Sequence, residues 1–170
     1  MRAGPAFRKL LLTLHIVTSM GLMGAVAAFL ALAIVGLSTG AGGPPVYPAM
    51  DLVTGYLIVP LALMSLVIGT FQSLVTPWGL IRHYWVVVKL ILTVAVVVVL
   101  WIQTGNIQML AMQPVGADGP ALAAARASMV LHAGGGLLVL LGAVILSVYK
   151  PRGLTRYGWN RRASAGAEEA

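Results

Sequence analysis

Four long stretches of almost uninterrupted apolar residues alternate with short polar or glycine- and proline-rich connections. The runs cover about 10–37, 52–75, 84–103 and 122–149, and each has the roughly 20 residues that cross a hydrocarbon layer. The valine-rich third run has strand propensity, yet an isolated strand in lipid leaves its backbone unpaired, so the pattern predicts helices throughout. Pro60, inside the second run, predicts a kink and a freed carbonyl. The predicted breaks are an uncharged loop from Thr39 to Pro48, a tight turn from Thr76 to His83, and a longer polar connection from Gln103 to Gly119. The expectation is an all-α integral membrane four-helix bundle, one domain over 1–162, with a disordered tail at 163–170. Ala25-Val26-Ala27 also resembles a signal-peptide cleavage site, but the apolar run continues past it, which favours a span.

Composition agrees with this reading. The chain is 59% apolar and 9% charged, with a mean hydropathy of +0.95, too little polar surface to coat a water-soluble globule. The formal charge of +7 comes from residues beside the ends of the apolar runs. They form no groove or stripe for nucleic acid, so the bilayer and its anionic lipids are the expected partners. A homo-oligomer or a membrane-protein partner is left open. The absence of cysteine removes disulfides, thiolate metal sites, iron–sulfur clusters and cysteine nucleophiles.

The same charges predict orientation. With four spans, Arg2, Arg8, Lys9, Arg82, Lys150, Arg152, Arg156, Arg161 and Arg162 share one side, and only Arg126 lies near the other. The positive-inside rule then places both termini in the cytoplasm, in a cell inner membrane. Arg82, Trp85, Lys150, Arg152, Arg156, Tyr157 and Trp159 are the candidate lipid-contacting residues.

Polar residues inside the runs are the candidates for function, because each is expensive there. His15 and Lys89 both fall roughly 9 to 11 Å inside the cytoplasmic boundary at about 1.5 Å per residue. Gln72 reaches a similar depth, and Thr18 and Ser19 extend the polar face of the first helix. No carboxylate lies in that half to neutralise Lys89. Snorkelling, a helix carbonyl, a deprotonated amine or an anionic ligand could each satisfy it. His132 lies roughly 27 Å from the cytoplasmic side, too far from His15 to share one haem with it. Ser128, His132, Gly135, Val139 and Gly142 fall on one face and predict a close helix contact with a polar tether, as Gly21, Ala25 and Ala28 do on the first helix. The i+3 pairs Met20–Met23, Met109–Met112 and Met129–His132 offer Cu(I) donors, which makes His15 and His132 candidates for separate metal sites. Hydrolysis by a triad lacks an acid, because Asp51 and Asp118 lie at the opposite face from His15. Copper or small-solute transport is the weaker alternative, because four helices without intramembrane acids make a poor ion path unless the protein oligomerises.

The turn Thr76-Pro77-Trp78-Gly79-Leu80-Ile81-Arg82-His83-Tyr84-Trp85-Val86-Val87-Val88-Lys89-Leu90, the opening Leu14-His15-Ile16 and the closing segment from Tyr149 to Gly158 together resemble an uncharacterised family of bacterial four-helix integral membrane proteins. Leu14-His15 and Trp85-x-x-x-Lys89-Leu90 are more distantly similar to the copper-resistance D type proteins and to the haem-binding protoporphyrinogen oxidase of bacteria. That similarity implies haem b held near His15 and Lys89; Gln72 is the third cofactor-binding candidate by its estimated depth, and copper is the second cofactor by the methionine and histidine spacing. The chain departs from those families at Met20-Gly21-Leu22-Met23-Gly24, where they carry a tryptophan followed by glycines, and lacks an acidic-plus-proline element in the fourth helix. The alternative function is a non-catalytic packing or regulatory subunit with a lipid-binding basic tail.

Overall fold

The computed structural model describes residues 4–40, 45–76, 79–151 and 153–161. Pro77 and Trp78 of the turn, Arg2, Arg152, Arg162 and the expected disordered tail lie outside the described residues. Pro5–Thr39 forms α1, Val46–Val53 forms α2, and Val59–Val75 forms α3. Tyr84–Ala111 and Pro120–Tyr149 form α4 and α5. Between α2 and α3 the turn Thr54–Ile58 is π-helical, so Val46–Val75 runs as one span. Among the described residues four helical stretches are therefore long and apolar enough to cross a membrane, and they make a multi-pass, all-α four-helix bundle.

The helices exceed the expected bounds, for identifiable reasons. The 35 residues of α1 span about 52 Å, well beyond a hydrocarbon core of about 30 Å. It passes unbroken through the alanines at 25 and 27. At the start of α2, Pro48 falls in the first helical turn, where a missing N–H costs nothing, so the Thr39–Pro48 loop is shorter than expected. The π turn comes immediately before Pro60, where the helix must absorb a proline without a donor. The expected polar loop from Gln103 is helical as far as Ala111, because Gln103 and Asn106 satisfy each other: Asn106 Nδ2 donates to Gln103 Oε1 at 2.8 Å.

α1 packs on α5 and α3, and α4 packs on α5, α2 and α3, which closes a ring of four spans. The core of Leu22, Val26, Phe29, Ala33, Met50, Ile58, Ile107, Leu110 and Met129 is concentrated toward one end. The other, basic end carries Arg8, Lys9, Arg82, Lys150, Arg156 and Arg161. Val88, Ile91, Val94, Val98 and Ile102 of α4 are exposed on its outer face and remain for lipid, whereas Val86 and Ile107 are buried and Val97 packs on the core.

At the basic end the tail folds back onto the turn before α4. Thr155 N donates to the Arg82 carbonyl at 3.0 Å, and Thr155 Oγ1 donates to the Ile81 carbonyl at 2.6 Å. Tyr84 N reaches the Gly153 carbonyl at 3.4 Å. A short helical turn over 156–161 follows, capped by Thr155 Oγ1, which accepts from Gly158 N at 3.1 Å. Gly158 lies against the Arg82 carbonyl with no room for a side chain.

Candidate functional site

The antiparallel seam between α1 and α3 places His15. A Cβ at Gly69 would lie 2.7 Å from His15 Cε1, so the ring occupies the space that the glycine leaves. One turn along, Ser19 Oγ and Ser65 Oγ share a hydrogen bond of 2.8 Å. The Ser65 carbonyl is close to the imidazole, yet His15 Nδ1 is buried with no hydrogen-bond partner. Gln72 follows Gly69 by three residues on α3, and its Oε1 is likewise buried and unpartnered. Buried polar atoms of this kind are uncommon in native proteins, and each needs a physical account.

Lys89 comes from α4. Its Nζ donates to Ser147 Oγ of α5 at 2.5 Å and lies 5.8 Å from the centre of the Trp85 ring, one turn earlier on its own helix. Ser147 passes its own hydroxyl hydrogen to the Ala143 carbonyl at 2.8 Å. A neutral hydroxyl and an aromatic face thus hold the amine in place of a carboxylate. The four spans therefore all contribute to one polar level: His15 and Ser19, Ser65 and Gln72, Lys89, and Ser147. Thr18 does not join it, because its hydroxyl bonds back to the Leu14 and His15 carbonyls of its own helix. Sequence reasoning missed Gly69, Ser65 and Ser147. The signal for the first two was the i+4 spacing of small residues on α3, matching His15 and Ser19 on α1.

His132 belongs to a different cluster, on the α4–α5 seam away from the basic end. Gln103 Nε2 lies 2.9 Å from Ser128 Oγ and 2.7 Å from His132 Nδ1. The polar tether expected on this face of α5 is therefore present. The close helix contact is not: a Cβ added at Gly134, Gly135, Gly136 or Gly142 would meet nothing within 4 Å. The expectation for the first helix holds at Gly21, which faces Leu61. Met20, Met109 and Met112 are exposed on the outside of the bundle, Met23 is half-buried, and Met129 is buried. Among the described residues no three His, Asp or Glu side chains converge on a metal position.

At the end opposite the basic one, Arg126 is only 7% exposed. Its guanidinium donates to Asp118 Oδ1 at 3.1 Å and to the Ala117 carbonyl at 2.8 Å, which pins the α4–α5 connection. The Gly119 N–H at 2.9 Å and the Arg126 guanidinium hold the Asp118 carboxyl below the usual aspartate range. Of the candidate lipid-contacting residues, Arg156, Tyr157 and Trp159 are exposed, with the Arg161 guanidinium 5.9 Å from the Tyr157 ring. Trp85 is half-buried between His83 and Lys89, and Arg82 lends its carbonyl to the tail. Lys150 ends α5 in the left-handed conformation at φ 41°.

The chain matches no family model, no curated protein and no solved structure.

Proposed function

We propose that this is an inner-membrane protein with both termini in the cytoplasm that binds a redox cofactor through His15 and Lys89. Haem b is the group whose donor requirements those residues meet. The orientation follows from the lysines and arginines at the basic end, against Arg126 at the other. One observation carries the cofactor reading. His15 Nδ1 is a buried imidazole nitrogen without a hydrogen-bond partner, on a membrane helix, while the Lys89 amine is held by a hydroxyl and an aromatic ring, with no carboxylate among the described residues at the basic end.

The residues fit haem in their chemistry. A free imidazole nitrogen is an iron ligand, and a lysine amine is either a second ligand when deprotonated or a counterion for a propionate. The unpartnered Gln72 Oε1 accepts a hydrogen bond from a protonated propionate or a water. Haem, when bound, supplies one-electron exchange. The chain's own part is positional: Ser147 fixes the Lys89 amine, and Gly69 gives the His15 ring its place.

The visible spectrum of the protein purified in mild detergent tests this reading. A Soret band that vanishes in His15→Ala supports it, and a band that survives the substitution unchanged refutes it. For the orientation, a reporter fused after Ala170 should be active in the cytoplasm; activity only outside overturns it.

The docked tail favours a second reading, a non-catalytic subunit whose basic end holds anionic lipid. Thr155 anchors the tail while Arg156, Tyr157 and Trp159 stay exposed together. In that case liposome binding by the full chain through its tail depends on salt and anionic lipid, and both dependences are lost when Arg156 and Arg161 become glutamine.

A further inference from the structure

A cavity of about 310 Å³ lies among the four spans, beyond the His15 level as seen from the basic end. Its walls are apolar side chains such as Leu22, Phe29, Ala62, Leu92, Val99 and Met129. Thr54 also lines it, but its hydroxyl is already spent on the Met50 carbonyl at 2.8 Å. The remaining polar lining is Gln103 and His132.

Gly134, Gly135 and Gly136 explain why the space is open. A glycine inside a helix costs about 1 kcal/mol relative to alanine, and close helix approach is the usual compensation. No such approach occurs here, because a Cβ at any of the three would meet nothing within 4 Å. Gly135 and Gly136 instead line the cavity. Leu131, His132 and Gly135 both line it and are exposed on the outside of the bundle, Leu131 at 72%. These residues lie roughly 21 to 27 Å along α5 from Tyr149. At that depth the mouth between α4 and α5 faces hydrocarbon sideways, not water at either end.

An exposed imidazole at such a depth is costly unless something meets it. Among the described residues the polar neighbours of His132 all lie at Nδ1: Gln103 Nε2 at 2.7 Å, Ser128 Oγ at 3.1 Å and the Ser128 carbonyl at 2.8 Å. Nδ1 either donates to the Ser128 carbonyl or accepts from Gln103 Nε2, not both; in the second tautomer the proton sits on Nε2, a donor for a carbonyl oxygen, and the Ser128 carbonyl is a close neighbour without a hydrogen bond. Gln103 itself is only 7% exposed and fixed by Ser128 and Asn106, so the polar wall is rigid.

We propose that this cavity binds a bilayer-soluble amphiphile, an apolar chain bearing one hydrogen-bonding carbonyl, which enters laterally between α4 and α5 and is held at its carbonyl by His132. The proposal is independent of the His15–Lys89 reading and uses none of its residues. Two sources have this chemistry, a prenylated quinone and an acyl lipid.

The test uses the full chain in nanodiscs of a dialkyl-ether phosphatidylcholine, which has no ester carbonyl to compete. Three diazirine probes are crosslinked and mapped by mass spectrometry: a decyl benzoquinone, methyl palmitate and hexadecane. At least one carbonyl probe should label cavity positions such as Leu100 and Ala133 saturably, at about fivefold above hexadecane, the ratio that one neutral hydrogen bond commands. The stronger of the two identifies the source. Gly136→Leu, whose Cβ would meet nothing within 4 Å, should fill the cavity and reduce labelling there to the level of the exposed Leu138, with thermal stability kept. Gly135→Phe, run in parallel, makes the same point if the first variant folds poorly. His132→Leu should remove the preference for carbonyl probes. Cavity labelling no stronger than at Leu138, labelling indifferent to both glycine variants, or hexadecane equal to both carbonyl probes would overturn the proposal.

Discussion

Gly69→Ala perturbs the candidate site through one methyl group. The added Cβ would lie 2.7 Å from His15 Cε1 and 3.2 Å from Nδ1, so the ring must leave its place on the α1–α3 seam. Overpacking of this kind costs about 1 to 3 kcal/mol. Alanine in a helix returns up to about 1 kcal/mol, so the net effect should be a loss of about 0 to 2 kcal/mol. Gly24→Ala on α1 is the control, since its Cβ would meet nothing within 4 Å and only the propensity gain of about 1 kcal/mol remains. Unfolding in mixed micelles, followed by circular dichroism, should therefore separate the two variants by about 1 to 3 kcal/mol. If Gly69→Ala is stabilised as much as Gly24→Ala, the His15 ring does not pack on Gly69, and the geometry assigned to the site is wrong.

Two further outcomes follow from the ends of the bundle. Gly158→Val should release the tail, because the side chain would collide with the Arg82 carbonyl; hydrogen exchange at the Thr155 amide should accelerate, whereas unchanged protection would refute the clasp. Asp118 carries a carboxyl held below its usual range by Gly119 N–H and Arg126. Its contribution to stability is therefore present above the ordinary aspartate pKa and lost as pH falls through the lowered value. Asp118→Asn should remove that acid-side loss from a stability-against-pH curve, and a curve that keeps it would mean that another group is responsible.

The four spans were legible because a run of about 20 apolar residues has one common fate in a membrane. Helix ends were less so. Gln103 and Asn106 read as loop residues, and only their mutual hydrogen bond, with Ser128 across the seam, lets α4 continue through them. The level of His15, Gln72 and Lys89 could be estimated from helical rise, but the Ser147 partner of Lys89 depends on which helices are neighbours. That information is not periodic. The glycines of α5 were misread for a related reason: spacing shows that small residues share a face, not whether a neighbour fills the space. The tail's docking on the turn before α4 joins residues more than seventy positions apart and has no local signal.

The central claim, that His15 and Lys89 hold one cofactor, is tested most directly by titrating haemin into the protein in phosphatidylcholine nanodiscs and following the Soret region. The account predicts saturation at one haem per chain for the wild type, no saturable band for His15→Ala, and a weakened or shifted band for Lys89→Met with the fold intact. A titration curve identical in all three proteins, or one that never saturates in the wild type, would contradict it.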